Sequence, residues 1–344
     1  MAVAAIDTPR TSAADFLAGL KSARTIAILI ALIWVPLMIY VMFGSLVGQS
    51  VKPFLLIPSI PAVTLLFLIA VTSFKESTIA LVGLGLVFFW LFVAVIVPYL
   101  PIIDPNKPLY PFGLPGSVKG DHMFLLGADW KGRDMLSRVL WGSQRIFIWG
   151  ITATAVAYVV GAFLGLVAGY FGGWWDEIIS YVANVLLSFP VMVLYVLILT
   201  YLGPSGFNLV IAVTFASAPG IMRIVRGLTL DNKTRDYIYA AQTRGESPFY
   251  IMIVELLPNV RGPLIVDSCV RLGYTTATIA TLTFLGLGLP PPDPDWGLMI
   301  KEGATAAMLF KFSYMLLIPA FAVSSLILGF NLMADGLREI SLKD

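Results

Sequence analysis

Seven long stretches of this 344-residue chain contain no Asp, Glu, Lys or Arg, and together they make up more than half of it. They are residues 25–51, 53–74, 77–103, 146–175, 178–222, 272–292 and 312–334. A soluble fold cannot hide so much uncharged chain, because its surface must be covered largely by polar groups. Hydrophobic residues form 58% of the sequence and charged residues 12%, against roughly 45–50% and about 25% in soluble domains. The sequence indicates a polytopic membrane protein.

The apolar stretches predict eight spans in an all-α fold, since a helix needs about 20 apolar residues to cross a bilayer. The stretch 178–222 is too long for one span and must fold back, with the turn expected at Gly203-Pro204-Ser205-Gly206. A β-barrel is disfavoured, because barrel strands alternate over about 10 residues. The predicted spans lie near 25–44, 53–73, 78–98, 146–170, 178–202, 207–222, 264–290 and 313–333.

Basic residues orient these spans. The N-terminal segment carries three of them before an apolar run that is too long for a cleaved signal peptide, so we expect it to stay in the cytoplasm. Eight spans return the C-terminus to the same side, as the positive-inside rule favours. The predicted organisation is a cytoplasmic N-terminus (1–24), N-terminal helices (25–98), an extracytoplasmic loop (99–145), a core (146–334) containing a cytoplasmic loop (223–262), and a cytoplasmic C-terminus (335–344) in the cell membrane.

Few residues suit catalysis or metal binding. The single cysteine, Cys269, excludes an internal disulfide, and the single histidine, His122, excludes a histidine-based metal cluster. Residues 127–134 have the glycine spacing of a phosphate-binding loop, but Arg133 and Asp134 stand where lysine and Ser/Thr are required. Intramembrane carboxylates are almost absent, which argues against a proton-driven transporter. We expect no enzyme activity, cofactor or metal on this chain, and an energy source on another chain.

The loop 223–262 begins with features of a short helix. Asp231-Asn232 predicts a turn or N-cap, and Tyr237 to Arg244 predicts a helix. Gly245 would end that helix in the left-handed conformation.

A second helix is predicted to follow at once. Ser247 is placed to cap it, Pro248 suits its first position, and Pro258 is expected to stop it. Ala240 and Ala241 would let another body approach closely. The alternative is an amphipathic helix pair lying in the membrane interface, which explains the aromatic residues but not the Ala-Ala-x-x-x-Gly spacing.

This loop resembles the EAA loop of importer-type ABC transporter permeases. The matching residues are Tyr239-Ala240-Ala241-x-x-x-Gly245, nine further residues, and Glu255-Leu256-Leu257-Pro258-Asn259. Tyr239 departs from the leading glutamate of the pattern, and Glu255 stands where Ile or His is usual, which bears on the choice of ATPase. In that family the loop docks as a coupling helix on a cytoplasmic ATPase. The resemblance implies this role for Tyr239, Ala240, Ala241, Arg244, Gly245, Glu246, Glu255, Leu257 and Pro258.

Further blocks, in matching order over about residues 120–344, are similar to the C-type subunit of dipeptide, oligopeptide and nickel permeases. They are Gly127-Ala128-Asp129-x-x-Gly132-Arg133-Asp134-x-x-Ser137-Arg138, Gly169-Tyr170-Phe171-Gly172-Gly173-Trp174-Trp175-Asp176, Ser188-Phe189-Pro190, Arg223-x-x-Arg226-Gly227, Asp236-Tyr237, Phe284-Leu285-Gly286-Leu287-Gly288, Pro291-Pro292 and Trp296-Gly297. A typical C-type subunit has one helix before its outer loop, whereas three are predicted here.

The resemblance implies a permease core of about five to six helices, plus about two extra N-terminal helices. It implies a binding-protein-dependent importer, most simply of peptides, with nickel complexes or oligosaccharides as alternatives. The implied partners are a second permease, two cytoplasmic ATPases that carry the ATP and Mg²⁺, an extracytoplasmic substrate-binding protein and membrane lipid, without nucleic acid. A self-sufficient channel or secondary transporter would need no docking loop.

Two further sets of residues carry functional expectations. Asp267 and Arg271, four positions apart, share a helix face near its cytoplasmic end and form either a stabilising pair or an inner gate or permease contact. In the outer segments, an aromatic belt is the alternative for the tryptophans. The candidates for docking the binding protein are Trp130, Lys131, Arg133, Asp293, Asp295 and Trp296.

Uncharged residues within the spans predict helix packing. Gly161, Gly165 and Gly169 have the small-xxx-small spacing of closely packed helices, and Asn184 and Asn331 are expected to hydrogen-bond between helices.

Overall fold

The computed structural model describes residues 77–307 and 310–341, together with 63, 65–67 and 70. The chain divides into two compact units, Met1–Ser73 and Phe74–Asp344. The predicted N-terminus, the span at 25–44 and most of the span at 53–73 therefore lie outside the described residues. Nearly all of the described residues belong to the second unit.

The described part of the second unit is helical apart from one hairpin and its connecting loops, which confirms the predicted all-α class. In the hairpin, β1 (Ser117–Lys119) pairs antiparallel with β2 (His122–Phe124). A π-helix, Ile251–Leu256, joins α7 to α8. The helices are α1 (Thr78–Ile96), α2 (Met135–Phe171), α3 (Gly173–Ser188), α4 (Val191–Leu202), α5 (Gly206–Asn232), α6 (Asp236–Thr243), α7 (Pro248–Tyr250), α8 (Leu257–Leu285), α9 (Trp296–Ala307) and α10 (Tyr314–Ser341).

Among the described residues, five helical segments are long and apolar enough to cross a membrane. They are Thr78–Tyr99, Met135–Phe171, Gly206–Asn232, Pro248–Leu285 and Tyr314–Glu339. Helices α3 and α4 together satisfy the same criterion but meet at an angle of 92°, so they form a broken sixth span or a re-entrant pair.

The single helix predicted over 178–202 is wrong, because the chain breaks between Ser188 and Val191. The ring of Pro190 disfavours helical angles at the residue before it, and Phe189 is extended with φ −78° and ψ 139°. The predicted turn at 203–206 is confirmed: Gly203 has φ +87°, and Ser205 accepts a 3.1 Å hydrogen bond from the amide of Asn208 at the start of α5. Helix α5 then runs to Asn232, well past the predicted end at 222.

The glycines at 161, 165 and 169 allow α2 and α5 to touch backbone to backbone, which confirms the predicted close packing. A Cβ on Gly161 would lie 2.8 Å from the carbonyl oxygen of Ala218, and one on Gly165 would lie 2.7 Å from that of Met222. Only a residue without a Cβ fits at these crossings.

The start of α9 reaches the core instead of the surface. The side chain of Trp296 is 1% exposed, and its Nε1 donates a 2.8 Å hydrogen bond to the carbonyl of Val139 in α2. Its ring packs edge-on against Trp90 of α1, with centroids 4.8 Å apart. A Cβ on Gly142 would lie 2.5 Å from that ring, so the glycine makes room for it. Trp296 thereby joins α1, α2 and α9.

Candidate functional site

The segment 223–262 is more helical than predicted. Helix α5 ends at Asn232 and the next long helical segment begins at Pro248, so only residues 233–247 separate them. The sequence predicts a turn or an N-cap at Asp231-Asn232. The N-cap is wrong, because both residues are in the last turn of α5, but a turn does begin at Asn232, whose carbonyl accepts a 3.1 Å hydrogen bond from the amide of Arg235. Arg235 precedes α6 without a side-chain cap, while Asp236 in the first turn provides negative charge at the N-terminus. The predicted helix at 237–244 is confirmed by α6 to within one residue.

Helix α6 ends in a Schellman motif. Gly245 has φ +78°, its amide donates to the Gln242 carbonyl at 2.9 Å, and the amide of Glu246 donates to the Ala241 carbonyl at 3.2 Å. Ser247 then accepts a 3.2 Å hydrogen bond from the amide of Tyr250 at the start of α7. The left-handed glycine and the serine cap are both confirmed.

Pro258 does not stop the second helix as predicted, since the helical segment continues from Pro248 to Leu285. The π-helix over Ile251–Leu256 lies just before this proline, and the amide of Leu257 bonds to the carbonyl of Met252, five residues back. In an α-helix a proline ring clashes with the carbonyl four residues before it. The wider π-turn relieves that clash, so the chain passes Pro258 without breaking.

One face of α6 is buried against the chain's own core. Ile238 and Ala241 are both 0% exposed and belong to a cluster with Ile251 and Leu256. The expectation that Ala241 offers itself to another body is therefore wrong. Of the predicted coupling residues, those with exposed side chains or backbone are Tyr239, Ala240, Arg244, Gly245 and Pro258, while Glu246, Glu255 and Leu257 are half-buried.

Arg244 joins the two arms of this helix-turn-helix. Its Nη2 lies 3.0 Å from Oε1 of Glu255, and its Nε lies 3.6 Å from Oε1 of Glu246. Glu255, one of the two departures from the family pattern, is thus the carboxylate that holds Arg244 against the π-helix.

Tyr237, in the first turn of α6, packs against the same buried cluster. Its hydroxyl is buried without a hydrogen-bond partner among the described residues, and this desolvation raises the pKa of the Tyr237 phenol.

The segment 127–134 closes on itself and presents no phosphate site. The Asp129 carboxylate accepts hydrogen bonds from the amides of Lys131 and Arg133, each at 2.9 Å. The backbone donors that an anion would need are therefore already occupied.

Around Asp129 lies an ion-pair cluster made of Asp129, Lys131, Arg133, Arg138 and Glu302. Arg133 bridges the two acids, with 2.6 Å from Nε to Asp129 and 2.6 Å from Nη2 to Glu302. Lys131 lies 3.2 Å from Glu302 at the edge of the cluster. The cluster ties the loop before α2 to α9.

Three of the six predicted docking residues are buried and cannot contact a binding protein. Arg133, Asp295 and Trp296 are 4%, 2% and 1% exposed. Arg133 belongs to the ion-pair cluster, and Asp295 caps α9 by accepting a 3.1 Å hydrogen bond from the amide of Leu298. Burial raises the pKa of the Asp295 carboxyl, against the opposing effect of its hydrogen bonds.

The other three predicted docking residues remain accessible. Trp130 is 44% exposed, and the ammonium of Lys131 lies 4.7 Å from the centroid of its ring. Asp293 pairs with Arg145 at 3.0 Å near the surface.

Asp134 caps α2 by accepting a 2.7 Å hydrogen bond from the amide of Ser137. Burial raises the pKa of the Asp134 carboxyl, although His122, 3.6 Å away, acts in the opposite direction.

Asp267 and Arg271 form the predicted pair, with 2.6 Å between Oδ2 and Nε. The expectation that they lie near an end of their helix is wrong, because α8 starts at Leu257 and Arg271 is midway along it. Sequence reasoning missed Tyr158 of α2, whose hydroxyl donates to the same carboxylate oxygen. The only available signal was a hydroxyl-bearing side chain in the middle of an apolar span.

Asn184 makes the interhelical contact predicted for it, since its Oδ1 accepts a 2.6 Å hydrogen bond from Nη2 of Arg223. Asn331 of α10 faces α8, where a Cβ on Gly273 would lie 3.3 Å from its Oδ1. Within the part of the chain that the structure describes, no group of three or more His, Cys, Asp or Glu residues is arranged to hold a metal.

Comparison with known proteins gives a consistent result. The model of the family "binding-protein-dependent transport system inner membrane component" matches residues 161–341. The dipeptide transport system permease protein DppC of Haemophilus influenzae is 32% identical over 272 residues, covering 77% of this chain and 90% of that protein. The glutathione transport system permease protein GsiD of Pectobacterium atrosepticum is 37% identical over 214 residues, covering 62% and 70%. GsiD of an Escherichia coli strain is 35% identical over 266 residues, covering 77% and 86%.

Proposed function

The chain belongs to the family of binding-protein-dependent transport system inner membrane components, and we propose that it forms, with a second permease, the path of an ATP-driven peptide importer. Its relatives support the substrate class, since one is named for dipeptides and another for glutathione. Both are small peptides with a free carboxylate.

The single observation that carries the coupling role is the construction of α6. Its inner face is anchored in the core by Ile238 and Ala241, and its end is fixed by the Gly245 turn and the Arg244–Glu255 pair. Its outer face presents Tyr239 and Ala240. A helix that is packed rigidly on one side and exposed on the other can transmit a movement of an ATPase to the helix bundle.

In this mechanism the ATP and Mg²⁺ belong to two partner ATPases, whose closure moves α6. Because α6 packs on the π-helix that continues into α8, its displacement is delivered directly to a membrane span. The bundle then alternates between inward-facing and outward-facing states. The loop 233–247, the N-terminus and the C-terminus lie in the cytoplasm in this arrangement, and the exposed Trp130, Lys131 and Asp293 contact the binding protein on the other side.

Reconstitution tests this function. The chain is co-expressed with its partner permease and ATPases, purified, and placed in proteoliposomes with the substrate-binding protein outside and ATP inside. We expect uptake of a radiolabelled dipeptide that requires both ATP and the binding protein. Peptide uptake that persists without ATP, or an ATPase that never co-purifies with the chain, would contradict the proposal.

A further inference from the structure

The middle of the bundle contains charged side chains that no role in coupling or docking explains. Asp267 and Arg271 lie midway along α8, with Arg271 about 21 Å from either end of that helix at 1.5 Å per residue. Charged groups within a membrane span are costly, and when present they commonly mark a substrate or ion pathway.

Arg271 reaches from α8 across to α5. Its Nε is held by Asp267 at 2.6 Å, while its Nη1 and Nη2 would lie 3.5 and 3.4 Å from a Cβ built on Gly220. The guanidinium therefore rests on bare backbone near the middle of α5. Tyr158 supports the assembly from α2 through its bond to Asp267.

This part of the bundle is not sealed by the chain itself. The side chains of Arg271 and Asp267 are 22% and 23% exposed, and Tyr274, one turn further along α8, is 70% exposed. On α5, Arg223 is exposed. Because residues three apart on a helix are neighbours, Arg223 follows Gly220 by one turn on the same side of α5.

The charges on this face do not balance. Arg226, one turn beyond Arg223, has a two-point contact with the Asp176 carboxylate, and Arg271 has Asp267. Arg223 has only the neutral amide of Asn184, at 2.6 Å, and no carboxylate within 4 Å among the described residues. One positive charge thus remains uncompensated within a segment long enough to span the membrane.

We infer that Arg271 and Arg223 form a two-step binding site for the carboxylate of a transported peptide, on the face of this chain that lines the path. The inference rests on the proposed function and names the residues that receive the substrate. Arginine suits the task, since its planar guanidinium can hold a carboxylate through two parallel hydrogen bonds. Asp267 and Tyr158 are positioning residues that keep Arg271 extended towards α5.

The two arginines differ in how they would act. Arg271 is already paired with Asp267, so it would bind the carboxylate of a peptide only weakly. Arg223, nearer the Asn232 end of α5, has only a neutral partner and would then attract the same carboxylate more strongly. A pair of moderate sites favours passage over retention, because conduction needs binding that is favourable enough to enter but weak enough to leave.

The test uses the complete importer in proteoliposomes, with dipeptide uptake and ATP hydrolysis measured on the same vesicles. Arg223→Gln is the informative variant, because its partner is neutral and no buried charge is left alone. We expect import per ATP hydrolysed to fall at least about tenfold, which corresponds to about 1.4 kcal/mol, with hydrolysis preserved. Arg223→Lys should retain most of the import, and the matched control Arg261→Gln, at an exposed arginine early in α8, should match wild type.

A second variant tests Arg271 without leaving the Asp267 carboxylate unpaired. The double change Asp267→Asn with Arg271→Gln removes both members of the pair, and we expect the same fall in import per ATP. Wild-type import ratios in Arg223→Gln and in the double variant would overturn the site. Loss of hydrolysis together with import in Arg223→Gln would also overturn it, by placing that residue in the coupling. If the wild-type complex imports no peptide at all, the proposed function fails first and the site falls with it.

Discussion

Arg244, the C-cap of α6, donates a 3.0 Å hydrogen bond to the carboxylate of Glu255, eleven positions further along the chain. The bond spans the left-handed turn at Gly245 and fixes α6 against the π-helix. Both partners are partly exposed, and exposed ion pairs contribute only about 0.2–1 kcal/mol to folding. Its contribution is therefore expected in the orientation of α6 more than in stability.

Exchanging the charges tests that orientation. Glu255→Arg alone should lower the ATPase stimulation by loaded binding protein, because it opposes two arginines across the turn. The double variant Arg244→Glu with Glu255→Arg should recover most of the stimulation. Thermal unfolding followed by size-exclusion chromatography should change little in either. A double variant as impaired as the single one would show that the pair itself is not what matters.

Gly245 allows backbone strain to be separated from partner contact. A Cβ at this position meets nothing within 4 Å in this chain, and φ is +78°. A residue with a Cβ costs roughly 1–2 kcal/mol in the left-handed region, except that asparagine and aspartate are tolerated. Because Gly245→Asp keeps the turn but adds a negative charge on its open side, we expect this variant to insert in the membrane yet lose stimulated ATPase activity.

Gly245→Asn is the matched control for that substitution. If the turn conformation is what the ATPase requires, Gly245→Asn should keep most of the stimulation while Gly245→Ala loses it. If both fail equally, the space outside the turn is occupied by the partner. Normal transport by Gly245→Asp would rule out a coupling role for this turn.

The α2–α5 crossing should be sensitive to a single methyl group. At Gly165 a Cβ would lie 2.7 Å from both the Met222 carbonyl oxygen and the Val225 Cβ. Gly165→Ala should destabilise the protein by about 1–3 kcal/mol, as overpacking does, and lower its apparent melting temperature in detergent. Gly227→Ala, on the same α5 with nothing within 4 Å, should be neutral or raise it, since alanine is the better helix former.

The buried ion-pair cluster predicts a second stability contrast. Arg133→Met would leave Asp129 and Glu302 without the arginine that bridges them at 2.6 Å each. Removing one partner of a buried pair costs about 3–5 kcal/mol, so we expect a large fall in folded yield. Lys131→Met, at the exposed edge of the same cluster, should cost less than about 1 kcal/mol. Equal losses in the two variants would contradict the assigned burial.

Local chemistry could be predicted from sequence where it depends on neighbours in the chain. The left-handed Gly245, the Ser247 cap and the fold-back at Gly203 all follow from residue types that few other conformations accept. The break at Phe189-Pro190 is equally local, but the long uncharged stretch around it resembles one continuous span and hides it.

Contacts made between distant parts of the chain could not be predicted in this way. The helix continues through Pro258 because of the preceding π-turn, which the residue types in this segment do not reveal. Asp295 and Trp296 look like surface residues in a polar loop, yet α2 and α9 enclose them. Tyr158 gains its role only because α8 brings Asp267 to it.

Site-directed cross-linking tests the central claim, that α6 is the element gripped by an ATPase. With the buried Cys269 replaced by alanine, a cysteine is placed at exposed Ala240 or at fully buried Ala241, and a short bifunctional reagent is added to the assembled complex. We expect a cross-link from position 240 to the ATPase subunit, with a yield that changes on ATP binding, and none from position 241. A complex in which position 240 never reaches the ATPase, with or without ATP, would contradict the coupling role of α6.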